Sequence, residues 1–193
     1  MEEILAKRDL RGGRRTGGPY HPTTCHSTVS PDRLARPLRS GAVTNSVLEA
    51  TGAELTAKQL HDLLRLRVDI FVVEQQCPYH ELDGRDLLAS TRHLWLADAA
   101  GVTSSVRVLA DPAGFRIGRV ATRTDQRGQG LAALLIGSAL DRIGGQTTVL
   151  DAQSHLKGFY EQFGYLVTGA EFVEDGIPHL PMLRPPALRP AEA

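Results

Sequence analysis

Six consecutive residues, Arg127-Gly128-Gln129-Gly130-Leu131-Ala132, are the part of this sequence best suited to hold a charged ligand. They lie between a strand-like segment, Phe115–Thr122, and a helix-like one that begins at Leu131. Glycines at the first turn of a helix leave its free N–H groups uncovered. Those donors, with the positive end of the helix dipole, attract anions. Arg127 adds a permanent cation suited to phosphate. A nucleotide-hydrolysing loop would need Gly-Lys-Ser/Thr, but Gly130 is followed by Leu131-Ala132, so the lysine and the Mg²⁺-holding hydroxyl are missing. A dinucleotide fingerprint would follow the first strand of a βαβ unit, whereas the strand here ends a meander. Two readings remain: a metal-free site for pyrophosphate, or a glycine-rich turn.

Other residues could carry chemistry or simply pack. Tyr160 is a phenol, protonated at neutral pH and able to donate a proton where charge develops. It also belongs to a helical apolar stripe with Leu156, Phe159 and Phe163, which suits a core. Arg67 falls on the apolar stripe of the first helix, and Glu74 lies two turns on along roughly that face. Together they read as an ion pair or as part of an acceptor site. His179 follows Pro178 and is a candidate base or substrate contact, because imidazole titrates near neutrality. His93 and His155 read as packed residues. The two cysteines, Cys25 and Cys77, form neither a disulfide framework nor a metal-ligand pattern. Cys77 reads as a small packed side chain, and a reducing cytoplasm is the expected compartment.

The elements that must position these groups follow from hydrophobic periodicity. Residues 1–42 show no lasting period, and bases outnumber acids there, so they read as a disordered basic extension. The composition change at Val43 also suits a native start at that residue. A domain is expected over 43–184, with a frayed tail over 185–193. Within it, Ser46–Gly52 reads as a strand. Thr56 caps a helix over Ala57–Val73. His93–Ala97, Val102–Leu109 and Phe115–Thr122 form a meander. The helix after the glycine loop ends at Gly144-Gly145. Thr147–Ala152 is a buried strand, Ser154 caps a helix through Phe163, and Tyr165–Phe172 and His179–Leu183 are the last strands. The 193 residues suffice for one real core. The order gives an α/β (α+β) fold with one mixed sheet and helices on its faces. Formal net charge is zero and no apolar run approaches a membrane span. Neither nucleic acid nor membrane is therefore an expected partner.

One spacing joins the loop to Tyr160. Gln153 ends the strand after the loop, and Tyr160 follows seven residues later, before Gly164-Tyr165. With Arg127, Gly130 and Ala132, this pattern resembles the GNAT family of N-acetyltransferases. Their loop reads Gln/Arg-x-x-Gly-x-Gly/Ala, and their later motif commonly has Asn and Phe where this chain has Gln153 and Tyr165. The strings Leu66–Gln75, Cys77-Pro78-Tyr79, Asp83-Gly84-Arg85-Asp86 and Glu174–His179 are similar to the ElaA-type branch of that family. The resemblance spans about Val47 to Leu183 and implies a mostly antiparallel sheet that splays at the acetyl-CoA site. It also implies acetyl-CoA as donor, an amine (small molecule or protein) as acceptor, direct transfer in a ternary complex without metal, and a homodimer. On that basis Val120, Ala121 and Thr122 would offer strand-edge groups to the pantetheine arm. Arg127, Gly128, Gln129, Gly130, Leu131 and Ala132 would hold the pyrophosphate. Gln153 would steady the pantetheine, Tyr160 would be the general acid, and Arg67, Glu74 and His179 would face the acceptor, Glu74 or His179 as base. Deprotonation through water, with no single base, is the other route. A module that senses acyl-CoA or docks a partner without turnover is the alternative to an enzyme.

Overall fold

A computed structural model describes residues 46–187. The basic extension over 1–42 and the tail from 188 onward lie outside the described residues. Thr56 starts α1 (Ala57–Arg67) with a capping box: its hydroxyl accepts from the Gln59 N–H, and the Gln59 side chain accepts from the Thr56 N–H. The helix continues to Glu74 but changes register after Arg67. Over Val68–Glu74 the turns are of π type, with the Gln75 N–H bonding Ile70 O and the Cys77 N–H bonding Val72 O, five residues back. Val68, Ile70, Val72 and Val73 are β-branched and crowd an ordinary helix. Apolar spacing alone does not separate the two helix types over so short a run.

The sheet has eight strands: β1 (Leu48–Thr51), β2 (Arg92–Asp98), β3 (Gly101–Asp111), β4 (Gly114–Thr122), β5 (Thr148–Gln153), β6 (Leu166–Val167), β7 (Phe172–Glu174) and β8 (Ile177–Arg184). Their spatial order is β1-β2-β3-β4-β5-β8-β6, with β7 also paired to β8. Every pairing is antiparallel except β4 with β5. The helix after the glycine loop, α2 (Leu131–Ile143), buries Leu131, Leu135, Ile136 and Ala139 with Leu94, Leu96, Val106, Val108 and Ile117 of the sheet. On the other face α1 and the π segment bury Leu63, Leu66 and Ile70 with Trp95, Val102 and Ala121. The mostly antiparallel sheet with helices on both faces is the expected fold class.

Two expectations for the C-terminal third need correction. Ser154 makes no cap hydrogen bond; it opens a 3-10 turn, Ser154–Leu156, that leads into a short α3 (Lys157–Glu161). The strand expected over Tyr165–Phe172 is two strands, β6 and β7, because the Thr168 N–H bonds Pro181 O and the chain then leaves the sheet.

Two features of β4 position the site. Between Ser105↔Ala121 and Arg107↔Gly118, β3 advances two residues while β4 advances three. Arg119 and Val120 therefore face Val106 alone, a bulge in which Arg119 takes φ of 52°. Then β4 leaves β5. Their parallel ladder consists of Phe115↔Thr148 and Arg116↔Val149 and goes no further. At its apex the Phe115 N–H bonds Thr147 O at 3.1 Å. Gly114, with φ of 135°, lies so close there that a Cβ would overlap Thr147 O. An alanine at this point must push the two strands apart where they meet. Gly114→Ala is expected to lower stability by about 1–3 kcal/mol, read as a reduced urea midpoint; an unchanged midpoint would show that the apex is not fixed by this contact.

Candidate functional site

The bulge decides which β4 groups face the opening. The Arg123 N–H bonds Thr103 O at 2.8 Å, so that end of β4 is hydrogen-bonded to β3. Alternation then turns the Ala121 backbone toward β3 and the Val120 and Thr122 amides toward the side β5 has left. Ala121 O also accepts from Ser104 Oγ at 3.0 Å. Among the three expected edge residues, Val120 and Thr122 thus offer cleft-facing groups, and Ala121 instead packs its methyl under α1.

At the end of β4 the chain makes a short 3-10 turn, Thr124–Gln126, and enters the glycine loop. Gly128 and Gly130 have φ of 76° and 75°, left-handed values that glycine adopts without strain. A Cβ at either would meet only open space, so the backbone angle is what calls for glycine. Gly130 is the N-cap of α2, and no side chain among the described residues caps that end. Leu131, Ala132 and Ala133 therefore present free N–H groups. Gln129 bonds Gln126 through its side-chain amide at 3.2 Å. Arg127 donates to Thr122 O at 3.2 Å and pairs with Glu74 at 2.8 Å, while Thr124 Oγ1 donates to Glu74 at 2.9 Å. The hydrogen bonds from Arg127 and Thr124 hold the Glu74 carboxyl below its usual range. The same bonds tie Glu74 to the glycine loop.

Across the opening, Gln153 donates its amide to Gln75 Oε1 at 3.2 Å. Adjacent residues at the end of the π segment thus reach both sides of the cleft, Glu74 to the glycine loop and Gln75 to β5. Gln153 is opposite His179 in the β5–β8 ladder, so the two side chains share a face. That face lies away from Leu150 and Ala152, which belong to the α2 core. His179 Nδ1 lies 2.8 Å from Ile177 O. A carbonyl only accepts, so Nδ1 carries a proton, and in the neutral ring Nε2 is the acceptor. The ring stacks on Phe172 at 5.9 Å. Tyr160 is on the opposite side, 7% exposed, within the α2 core and edge-on to Phe159 and Tyr165. Burial, then the neighbouring Tyr165, pushes its phenol up to about 12. It stays protonated at any neutral pH.

Arg67 does not face an acceptor. It is 1% exposed and pairs with Glu81, and with Asp86 at 2.6 Å. Its partner is not Glu74. Around it the loop from Gln75 to Thr91 inserts three carboxylates beneath β3 and β4. Arg107 pairs with Asp83 at 2.6 Å and Asp86 at 2.9 Å, and Arg119 with Glu81 at 2.8 Å. Tyr79 donates its hydroxyl to Glu81, and His93 Nε2 meets Asp86 O at 2.9 Å. Burial opposes the charge on Asp83 and Asp86, but the arginine bonds outweigh it and both carboxyls lie below the usual range. Burial also lowers the His93 imidazole. Arg67 on the apolar stripe of α1 and Arg107 inside an apolar strand are the sequence traces of this cluster. A groove of about 370 Å³ lies between the α1–π segment and the β2–β3 turn, lined by Asp62, Arg65, Asp69, Glu74, Arg123 and Asp125 among others. It shares Glu74 with the glycine-loop side of the cleft, but Tyr160, Gln153 and His179 do not line it.

Comparison with known proteins gives a consistent result. Residues 59–184 match the description of an Acetyltransferase (GNAT) domain. A UPF0039 protein of Mycobacterium tuberculosis is 49% identical over 148 residues, which cover 74% of this chain and 95% of that one. Protein ElaA of Escherichia coli is 37% identical over 141 residues, covering 68% of this chain and 91% of its own. Its crystal structure superposes with a TM-score of 0.68, over 72% of this chain and 98% of that one. An acyl-CoA N-acyltransferase from Pseudomonas aeruginosa superposes with a TM-score of 0.67 at 37% identity, again over 72% and 98% of the two chains.

The buried cluster yields a stability test. Arg67→Ala leaves Glu81 and Asp86 short of a partner and should cost about 3–5 kcal/mol in urea unfolding; a loss under about 1 kcal/mol would mean the cluster is solvated. The pH dependence has a definite sign. Groups with lowered folded pKa lose their stabilisation as pH falls below the unfolded value. Melting temperature should therefore begin to fall below about pH 6.5, as His93 resists protonation, and fall more steeply below about pH 4, through Asp83 and Asp86.

Proposed function

The chain belongs to the GNAT family of acetyltransferases, and on that premise we propose that it moves the acetyl group of acetyl-CoA to a primary amine by direct transfer in a ternary complex. The observation that carries this reading is the edge of β4, which loses its β5 partner after Arg116 and runs open to the glycine-flanked N-terminus of α2. A pantetheine arm has amides of its own and can take the place of the missing strand. In this reading the amides of Gly128–Ala132 and the Arg127 guanidinium receive the pyrophosphate. Arg127 exchanges Glu74 for phosphate oxygens. Val120 and Thr122 bond the arm, Gln153 steadies it, and a cleft-facing N–H polarises the thioester carbonyl.

The amine then approaches on the His179 face and the thiol leaves on the Tyr160 face. The amine nitrogen bonds the carbonyl carbon and passes a proton to His179 Nε2. The C–S bond breaks, and Tyr160 gives its proton to the departing sulfur. Solvent returns a proton from His179 to the phenolate. His179 is preferred to Glu74 as base because its Nδ1 takes the Ile177 bond and leaves Nε2 to accept a proton, whereas Glu74 lies on the glycine-loop side, bonded by Thr124. Exposed Leu166, Phe172 and Val173 on β6 and β7 would be the contact of a homodimer.

Acetyl-CoA is expected to raise the melting temperature and then release thiol with at least one member of an amine panel. Binding without release on any amine would instead mark an acyl-CoA-sensing module, and no binding would defeat both. Tyr160→Phe should keep acetyl-CoA binding and lower kcat at least tenfold; an unchanged kcat would remove Tyr160 from the mechanism. Glu74→Gln should lower the KM for acetyl-CoA and change kcat less than threefold, whereas a tenfold loss of kcat would make Glu74 the base.

A further inference from the structure

We propose that Arg119 is a positioning residue for acyl transfer: its guanidinium, anchored on the carboxylates of the Gln75–Thr91 loop, holds the β4 bulge that turns the Val120 amide into the cleft. The inference rests on the proposed acetyl-CoA site and adds to it the device that sets its geometry.

Strand parity fixes which side each β4 amide faces. The Phe115 N–H faces β5 and the Arg123 N–H faces β3. These residues are eight apart, so a regular strand would turn both to the same side. The one extra residue at Arg119–Val120 reverses the alternation. Without it the Ala121 amide would face the cleft and the Val120 amide would face β3. The bulge therefore selects which N–H meets a bound thioester.

The bulge needs support, because Arg119 takes a left-handed backbone that a residue with a Cβ resists. Nothing local supplies it: Gly118 precedes Arg119 and Val120 follows. The side chain does. Arg119 Nε lies 2.8 Å from Glu81 Oε2 and Nη2 lies 3.7 Å from Asp83 Oδ2. The guanidinium carbon sits 5.7 Å from the Tyr79 ring centroid, a cation–π contact. Glu81 and Asp83 are themselves fixed from behind by Arg67 and Arg107. Three arginines and three carboxylates thus join α1, the loop, β3 and β4, and Arg119 is the member whose backbone lies at the bulge. Its side chain is also the most exposed of the three arginines, at 26% against 2% for Arg67 and 5% for Arg107. It can therefore be removed with less damage to the core.

The test uses the full chain and acetyl-CoA labelled with ¹³C at the carbonyl. Arg119→Gly permits the left-handed angle but removes the anchor. Bound to the native protein, the carbonyl resonance should move downfield from its free position, as a hydrogen-bonded carbonyl does. Bound to Arg119→Gly it should return most of the way. With an accepted amine, the same variant should lose at least tenfold in kcat while the KM for acetyl-CoA changes less than threefold. Arg119→Lys, which keeps a cation beside Glu81 and Asp83, should recover the carbonyl shift and at least a third of kcat. Equal carbonyl shifts in native protein and Arg119→Gly would overturn this inference and leave the proposed function standing. So would a folded Arg119→Lys that behaves as Arg119→Gly does. Failure of the native protein to bind acetyl-CoA would overturn the proposed function and this inference with it.

Discussion

The parting of β4 from β5 is the constraint on which the rest of this structure depends. A central strand normally bonds on both edges, because unpaired backbone groups inside a protein are costly. Here β4 keeps β3 along its whole length and gives up β5 after two residue pairs. The elements around the opening are arranged to hold it. Gly114 clamps the apex against Thr147, and α2 packs across Ile117 on one face. On the other face α1 and the π segment cover Ala121, and the end of that segment spans the mouth through Glu74 and Gln75. An edge held open in this way is a place for a ligand that can hydrogen-bond like a strand.

The second requirement is a rigid floor beneath the bulge, and it is met with charge. The loop from Gln75 to Thr91 contributes little apolar area; Leu82, Leu87 and Leu88 are exposed. It is fastened by Glu81, Asp83 and Asp86, each answered by an arginine from α1, β3 or β4. A cluster of this kind gains little net stability over an apolar one, but it fails sharply when one member is lost. Its effect is register. It lets one loop fix three elements at once, close to where the two faces of the site meet.

Most of the fold was legible in the sequence because period and punctuation agree. The apolar run within Arg92–Asp98 and the turns at Asp98–Gly101 and Asp111–Gly114 give the meander, and Gly130 and Gly144 mark the ends of α2. What was not legible depended on contacts far apart in the chain. Ile117, Arg119 and Ala121 alternate like any strand, and Gly118 is a weak local sign of the bulge that puts Ile117 and Ala121 on opposite faces. Asp83, Asp86 and Glu81 sit in a turn-rich loop, where charge usually means solvent. Arg67 stands out as a charge on an apolar stripe, yet its partners lie 14 and 19 residues on rather than two turns away. Ser154 looks like a cap, yet it lies inside the 3-10 turn that leaves β5, and Gln153 holds the N-cap position. For the site, the loop and the Gln153–Tyr160 spacing carried a family pattern. The tautomer of His179 and the tie between Glu74 and Arg127 needed coordinates.

The account stands on the open edge of β4 being filled by the acyl donor, and amide hydrogen exchange reads that edge directly. With saturating acetyl-CoA, the Val120 and Thr122 amides should slow at least tenfold, together with those of Gly130–Ala132, while the Ala121 amide, already bonded to β3, changes little. Protection confined to the groove between the α1–π segment and the β2–β3 turn, or unchanged exchange at Val120 and Thr122 in protein that has bound acetyl-CoA, would contradict this.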